Sequence, residues 1–291
     1  MTRIINALSE IQSSYKVMFV DLWGCVHDGV RAFPAAVAAL QAYRGSGGTV
    51  ILVTNSPRSR EGVRHQLAEL GVPEDAWDAI ATSGDSARAA MFQGVVGSKV
   101  WFMGNWDHDK SFFDPMKVID SPVPIERVPL EEAEGIVCCG PLDSLPDPEA
   151  HRPQLLYAKQ KGLKLLCANP DIVVDRGNKR EWCAGAIARL YTEMGGESFY
   201  FGKPHPPIYD LARRRLAALG CDTDKAAILA IGDGPHTDIL GAMGEDLDSL
   251  FITGGLAADE TATGHAPAPD ALERFLQNEG ISPTYAIGFL Q

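Results

Sequence analysis

The chain has 291 residues, of which 45% are hydrophobic, and it carries a formal net charge of −12. This composition is typical of a folded α/β protein of one large or two medium domains and excludes a disordered chain. The acidic balance, without a lysine- or arginine-rich run, argues against nucleic acid or an anionic membrane as a main partner. No stretch has the length of a signal peptide or a membrane span. We therefore expect a cytoplasmic protein.

Short apolar, β-branched runs alternate with longer amphipathic segments. The runs predict strands at residues 17–20, 49–53, 99–102, 135–138, 163–167, 227–231 and 249–252. Amphipathic segments that end close to a glycine predict helices within 34–48, 58–70, 182–194 and 206–218. This alternation predicts parallel sheets covered by helices. Residues 103–131 are loop-rich, and we expect them to be among the least regular parts.

Acidic residues follow two of the predicted strands. Asp21 comes directly after VMFV, and Asp233 and Asp238 lie in the sequence IGDGPHTD that follows AAILA. Buried carboxylates are costly unless they are paired or bound to metal. Two strands that deliver carboxylates at their carboxyl ends therefore predict a site for a hard cation and a phosphoryl group. Asp21 is the candidate nucleophile, and Asp233 and Asp238 are the candidate metal ligands.

The carboxylate loops lie near the two ends of the chain, whereas residues 86–199 have their own strand–helix alternation and none of these loops. This distribution predicts a discontinuous core domain, formed by residues 1–85 and 200–291, that is interrupted by an inserted domain of residues 86–199. The six cysteines form no C-x-x-C motif. Their spacing favours free, mostly buried thiols over a zinc site or a disulfide framework.

Four motifs, DLWGCVHDG, VTNSPRS, FGKPHPPIY and IGDGPHTDILGA, occur in the order and spacing of the haloacid dehalogenase (HAD) superfamily. The chain most resembles its class II, A-type phosphatases, the group of p-nitrophenyl phosphatases and sugar-phosphate phosphatases. The resemblance covers nearly the whole chain. It implies an α/β fold with a Rossmann-like parallel-sheet core and an inserted α/β cap domain that closes over the site and selects the substrate.

The resemblance also implies residue roles. Asp21 would attack a phosphoryl group and form an aspartyl phosphate. Mg²⁺ would be held by Asp21, Asp233 and the backbone carbonyl of Trp23, with Asp238 close by. Lys203 would neutralise the phosphate and the nucleophile. The remaining predicted substrate contacts are Thr54, Asn55 and Ser56 after the second strand, and Asn169 and Asp171 in the ANPD motif, which the resemblance places facing the active site.

Trp23 departs from the family pattern. Phosphatases of this family carry an aspartate there, two residues after the nucleophile, which protonates the leaving oxygen and later activates water. The indole N–H of tryptophan donates a hydrogen bond but does not exchange protons in this way. General acid–base catalysis contributes about 10²–10⁴-fold to such rates. His27 and Asp28 lie just beyond and are the candidate replacements, unless neither residue transfers a proton.

The leading prediction is a Mg²⁺-dependent hydrolase of a small phosphorylated metabolite that acts through Asp21. A non-catalytic phosphate-ligand sensor or interaction protein is the alternative that Trp23 supports. A HAD enzyme that cleaves a carbon–phosphorus or carbon–halogen bond is a third reading, and the metal-type acids disfavour its dehalogenase branch. The sequence decides neither the substrate nor the oligomeric state, and a homo-oligomer stays open.

Overall fold

The computed structural model describes residues 2–116, 119–142, 147–177 and 179–291. Its strands include all seven that the sequence predicts, with ends that differ by at most one residue. In chain order the strands are β1 (Arg3–Ile4), β2 (Val17–Val20), β3 (Thr49–Thr54), β4 (Ala79–Thr82), β5 (Lys99–Met103), β6 (Glu126–Arg127), β7 (Gly135–Cys138), β8 (Lys164–Cys167), β9 (Val173–Arg176), β10 (Lys179–Trp182), β11 (Glu197–Tyr200), β12 (Ile228–Gly232), β13 (Asp248–Ile252) and β14 (Tyr285–Ile287).

The larger sheet has seven strands in the order β1-β14-β13-β12-β2-β3-β4, and every neighbouring pair is parallel. Strand β2 lies between β12 and β3, so the carboxyl ends of these three strands meet at one edge of the sheet. Met18 and Val20 pack into one hydrophobic cluster, and Val17 and Phe19 pack into another. Both faces of β2 are therefore covered, which explains its uninterrupted apolar sequence.

Helices cover both sheets and confirm the four predicted segments. The helices are α1 (Pro34–Gly45), α2 (Arg60–Leu70), α3 (Ser83–Phe92), α4 (Trp106–Asp109), α5 (Arg152–Gln160), α6 (Ala184–Glu193), α7 (Pro206–Ala218), α8 (Leu240–Gly244) and α9 (Pro269–Glu279). The Ser59 side chain caps α2 by accepting from the Gly62 N–H, and Gly71 ends it in the left-handed conformation at φ 84°. None of the helices in the described ranges is long and apolar enough to cross a membrane.

A second sheet has five parallel strands in the order β11-β8-β7-β5-β6, and all of them lie between Lys99 and Tyr200. Strands β9 and β10 form a separate antiparallel hairpin. The predicted α/β class with parallel sheets is thus confirmed, whereas the predicted boundaries at 85/86 and 199/200 stay a prediction. After Met103, which ends β5, the described part of the segment 103–131 contains only α4, β6 and a 3₁₀ helix at Lys110–Phe113. Its residues 117 and 118 lie outside the described residues.

Each of the six cysteines is free, as predicted. Five are buried, and Cys221 is partly exposed. Burial raises the pKa of Cys138 to about 12, so this thiol stays protonated at neutral pH.

Candidate active site

The carboxyl end of β2 places Asp21 beside the loop that follows β12. The Asp21 backbone N–H donates to the Ile231 carbonyl at 2.8 Å, which extends the strand pairing by one residue. Asp233 comes directly after β12. Ligand atoms of Asp21, Asp233 and Cys25 all lie within 4.8 Å of one another, and all three residues are buried. The fold therefore brings the predicted nucleophile and one predicted metal ligand together.

Lys203 joins Asp21 to the other predicted metal ligand. Its Nζ donates to Oδ1 of Asp21 at 2.5 Å and to Oδ1 of Asp238 at 2.6 Å. The Lys203 side chain is only 4% exposed, so solvent screens these ion pairs weakly. Burial alone would lower the pKa of Lys203, but the carboxylates of Asp21, Asp238 and Asp171 raise it well above its usual range. Lys203 is thus a fixed positive charge beside Asp21, the predicted nucleophile.

The aspartates outnumber the lysine, and their pKa values reflect this imbalance. Burial raises the pKa of Asp21 to about 7, because lost hydration outweighs the attraction of Lys203. Burial, followed by repulsion from Asp21 and Asp238, raises the pKa of Asp233 well above its usual range. A cation in this site would relieve the excess negative charge.

Asp233 sits in a tight cradle of glycines. A Cβ added at Gly24 or at Gly255 would lie 2.1 Å from Oδ2 of Asp233. The same oxygen accepts a hydrogen bond from the Leu256 N–H at 3.0 Å. Among the described residues, no hydrogen-bond donor contacts the other oxygen, Oδ1. The position thus accommodates a buried carboxylate with one oxygen available, which fits a hard divalent cation such as Mg²⁺.

Asp238 is held in a similar way. A Cβ added at Gly232 would lie 2.0 Å from Cγ of Asp238, and the Gly234 N–H donates to its Oδ2 at 3.1 Å. The residue lies in a π-helical turn over Pro235–Ile239, a distortion that often occurs at functional sites. Because Oδ1 of Asp238 is engaged by Lys203, this residue orients the lysine and adds negative charge near Asp233.

Thr54 is the last residue of β3, and Asn55 and Ser56 follow it. The Thr54 hydroxyl accepts from the Ser56 N–H at 3.2 Å. The Asn55 side chain accepts from the Lys203 N–H at 2.7 Å and donates to the Lys203 carbonyl at 3.0 Å. The Asn55 amide therefore fixes the backbone of Lys203, a positioning role that sequence reasoning missed. A phosphate contact from Asn55 would have to use its backbone N–H.

Asn169 and Asp171 reach this site from the segment after β8. The Asn169 side chain accepts from the Asp171 N–H at 3.0 Å, and Oδ1 of Asp171 accepts from Nδ2 of Asn55 at 2.8 Å. Burial raises the pKa of Asp171 to about 6, although Lys203 and Asn55 oppose the shift. The structure thus brings these two predicted residues to the same place as Asn55 and Lys203.

Trp23 is partly buried between the core and the β9–β10 hairpin. A Cβ at Gly29, where φ is +77°, would lie 2.2 Å from the Trp23 ring, so the indole packs directly on that glycine. The Arg176 guanidinium lies 5.2 Å from the centre of the Trp23 ring, within cation–π distance. Beside these contacts, the Gly177 N–H donates to the Asp28 carbonyl at 2.9 Å. The hairpin therefore packs against the segment that follows Asp21.

The two candidate proton donors differ in placement. His27 is fully buried, packs edge-on against Trp23 at a centroid distance of 5.1 Å, and does not line the cavity that contains Asp21. Burial lowers the pKa of His27 to about 4, so it is neutral at pH 7. Asp28 lines that cavity, but its Oδ1 accepts from the N–H groups of Val30 and Arg31. Despite partial burial, these bonds lower the pKa of Asp28 and favour its ionised form.

A cavity of about 230 Å³ opens over Asp21. Besides the predicted residues, its walls include side chains that sequence reasoning did not select: Phe33, Val173, Val174, Asp175, Leu256 and Phe289. Three of these belong to β9, so only the folded hairpin brings them to the site. A second compartment shares Trp23, Asp171 and Val174 with the first, and it contains Ser56 and Asn169 but not Asp21.

Comparison with known proteins gives family-level matches over two parts of the chain. A model described as haloacid dehalogenase-like hydrolase matches residues 18–115, and a second HAD-like hydrolase model matches residues 200–276. A crystal structure of a hydrolase of the haloacid dehalogenase-like family from Brucella suis 1330 is 38% identical. It superposes with a TM-score of 0.85, and the match covers 99% of this chain and 100% of that one.

Two curated relatives are more distant. A dihydroxyacetone phosphatase from Corynebacterium glutamicum (strain R) is 27% identical over 99 residues, which are 34% of this chain and 34% of that protein. A D-glycerol 3-phosphate phosphatase from Mycobacterium tuberculosis is 24% identical over 251 residues, which are 86% of this chain and 66% of that protein. The matches therefore span about one third and just under two thirds of these relatives' own lengths.

Proposed function

The chain belongs to the haloacid dehalogenase-like hydrolases, and we propose that it is a Mg²⁺-dependent phosphatase acting on a small phosphorylated metabolite through Asp21. The observation that carries this proposal is the buried constellation of Asp21, Asp233 and Asp238 around Lys203. The two phosphatase relatives support a small phosphomonoester as substrate.

In the first step a carboxylate oxygen of Asp21 forms a bond to phosphorus, and the bond between phosphorus and the leaving oxygen breaks. In the second step water attacks the aspartyl phosphate, which releases inorganic phosphate and restores Asp21. Lys203 favours the ionised form of Asp21 against the opposing effect of burial, and it offsets the charge of the incoming phosphate. The Asn55 side chain holds Lys203 in place throughout.

Asp21, Asp233 and the backbone carbonyl of Trp23 are the groups that would hold Mg²⁺, with Asp238 adjacent. Bound there, the ion would offset repulsion between the phosphate and the nucleophile. The glycine cradle around Asp233 supports this assignment, since it leaves space for a carboxylate and for little else. Thr54, the backbone N–H groups of Asn55 and Ser56, and Lys203 would contact the phosphate oxygens.

None of the three residues considered as proton donors is suited to protonate the leaving oxygen. Trp23 has no exchangeable carboxyl proton, His27 lies outside the Asp21 cavity, and Asp28 is held in its ionised form. We infer that no side chain at the usual position protonates the leaving oxygen. Hydrolysis should then be fast only when the leaving group is a stable anion, such as an aryl oxide or a carboxylate.

The test is phosphate release from p-nitrophenyl phosphate and from a panel of phosphorylated metabolites, each with and without Mg²⁺. The Asp21→Asn variant is the control for contaminating phosphatases. Beryllium fluoride, a phosphoryl mimic, should bind at Asp21 in a crystal structure. Tight binding of phosphate ligands without turnover in any assay would favour the sensor alternative, which Trp23 motivates.

A further inference from the structure

The charged residues that line the cavity over Asp21 are all acidic. The lining contains six aspartates and, among the described residues, no lysine, arginine or histidine; the six are Asp21, Asp28, Asp171, Asp175, Asp233 and Asp238. Lys203 is the nearby buried cation, and both of its ion pairs are already directed at Asp21 and Asp238. Asp28, Asp171 and Asp175 are thus left to face whatever is attached to the phosphate.

Two of these three aspartates pair with exposed arginines, and Arg180 donates to both carboxylate oxygens of Asp175. Arg180 lies 2.7 Å from Asp175 with its own side chain 60% exposed, and Arg31 lies 3.7 Å from Asp28 with its side chain 81% exposed. Solvent and salt screen such exposed charges strongly. Because each arginine is more exposed than the aspartate that it pairs with, it offsets only part of the negative charge that faces the cavity.

The other walls are apolar. Phe33, Val173, Val174, Leu256 and Phe289 line the same space, and its volume of about 230 Å³ is below the range of drug-sized pockets. The Trp23 ring also lines this space, and the Arg176 guanidinium lies 5.2 Å from its centre, within cation–π distance. The space fits a compact, partly apolar group with no negative charge.

From these walls we propose that the protein accepts phosphomonoesters with a small uncharged or cationic leaving group and rejects those with a second anion. The inference rests on the proposed phosphatase function. The competing location for the leaving group is the second compartment, which contains Arg58 and Arg176 but is not lined by Asp21. If the leaving group lay in the second compartment, the protein would prefer substrates whose leaving group carries a negative charge.

Three esters with similar leaving-group acidity test the proposal: phenyl phosphate, 4-carboxyphenyl phosphate and 4-(aminomethyl)phenyl phosphate. We expect kcat/KM for the carboxylate ester to be at least about 10-fold below that for phenyl phosphate, as repulsion from several partly screened carboxylates requires. The aminomethyl ester should equal or exceed phenyl phosphate. Raising NaCl to about 0.5 M should reduce the difference in kcat/KM between the carboxylate ester and phenyl phosphate, because the Debye length then shortens to a few ångströms.

Asp28→Asn and Asp175→Asn should each reduce the discrimination against the carboxylate ester. Asparagine at position 28 can still accept the two backbone hydrogen bonds through its side-chain oxygen. Asp210→Asn is the matched control: it removes the same charge from an exposed aspartate that also pairs with an arginine, Arg213 at 3.2 Å, outside both compartments. Asp210→Asn should leave the ratio of kcat/KM between the carboxylate ester and phenyl phosphate unchanged.

Equal kcat/KM for the three esters, or preference for the carboxylate ester, would overturn the proposal and direct the leaving group towards Arg58 and Arg176. Failure of the proposed function looks different, since all three esters and p-nitrophenyl phosphate would then release no phosphate. In that case the affinities of the three corresponding benzylphosphonates, measured by calorimetry, give the same ranking without turnover. An anionic phosphonate that binds as well as the neutral one would refute the charge selectivity.

Discussion

The ammonium of Lys203 lies 2.5 Å from Oδ1 of Asp21, although the two residues are 182 positions apart in the chain. Asp21 directly follows β2 of the large sheet, and Lys203 follows β11, the last strand of the second sheet in chain order. The ion pair therefore joins the segment that leaves the large sheet after β2 to the segment that leaves the second sheet after β11. The site depends on both sheets.

Replacing Lys203 with methionine should lower both stability and activity. The substitution leaves several buried carboxylates without a cation, and breaking a buried pair in this way typically costs about 3–5 kcal/mol. We expect a loss of that order in the free energy of unfolding, measured by urea denaturation at pH 7.5 in EDTA. Lys203→Arg keeps the charge and should lose less stability. A methionine variant as stable and active as the native protein would contradict the assigned role.

Asp21→Asn should abolish turnover and yet stabilise the metal-free protein above neutral pH. Burial raises the pKa of Asp21 to about 7, so between about pH 4, the ordinary pKa of an aspartate, and pH 7 the folded protein holds a proton that the unfolded chain releases. Stability from this group is therefore present below pH 4 and is lost as pH rises towards 7 and beyond. The pKa shift sets an upper bound of about 4 kcal/mol for the difference in free energy of unfolding between Asp21→Asn and the native protein at pH 8.

Denaturation in EDTA across pH 4–8 measures this difference. The native protein should lose stability with rising pH more steeply than Asp21→Asn, and the two curves should approach each other near pH 4. Parallel curves would mean that Asp21 is not the group with the raised pKa. Added Mg²⁺ should reverse the order at pH 8, because the native carboxylate then gains a ligand.

Four strands of the large sheet, β2, β3, β12 and β13, were predictable because each is almost entirely buried and reads as one apolar run. The other three, β1, β4 and β14, were not predicted from the sequence and are only two to four residues long. The β9–β10 hairpin was not predictable, because VVDR and KREW are rich in charge and partly exposed. Helix α3 was missed for the opposite reason. Nearly all of it is buried, so SGDSARAAMF shows no contrast between an apolar and a polar face.

Some residues of the candidate site could likewise be selected from the sequence, whereas others could not. Asp21, Asp233 and Lys203 stand in short motifs next to strand ends, and local sequence is enough to select them. The contacts of Trp23 with Arg176 and of Asp28 with Gly177 depend on the position of the β9–β10 hairpin in the folded protein, which local sequence does not specify. The burial of His27 likewise follows from packing against Trp23, and nothing in the sequence HDG signals it.

Metal removal should stop hydrolysis. We expect activity in EDTA to fall to background and to return with added Mg²⁺, since phosphoryl transfer depends largely on electrostatic stabilisation. Asp233→Asn should weaken metal binding and cut activity by at least ~100-fold at fixed Mg²⁺. Its cradle should tolerate the isosteric amide, so circular dichroism should report an unchanged fold. Full activity in EDTA would exclude the proposed role of the metal.

Trp23 provides the sharpest test of the missing proton donor. The native protein should hydrolyse aryl and acyl phosphates and be slow with alkyl phosphates, because an unprotonated alkoxide leaves poorly. Trp23→Asp should raise alkyl phosphate turnover, with an upper bound of ~10²–10⁴-fold from the restored acid–base catalysis. The gain should be smaller in practice, since an indole-sized space holds a carboxylate loosely and ~1 Å of misplacement can cost ~100-fold.

Trp23→Phe is the matched control, because it reduces the same packing against Gly29 and His27 without adding a carboxyl group. A rise in alkyl phosphate turnover in the aspartate variant alone would identify proton transfer as the limiting factor. If His27 transfers the proton instead, the native protein would already hydrolyse alkyl phosphates well, and His27→Ala would remove that ability while sparing p-nitrophenyl phosphate. Its burial and its pKa of about 4 argue against that outcome, because a neutral imidazole with no place in the cavity wall is a poor acid for the leaving oxygen.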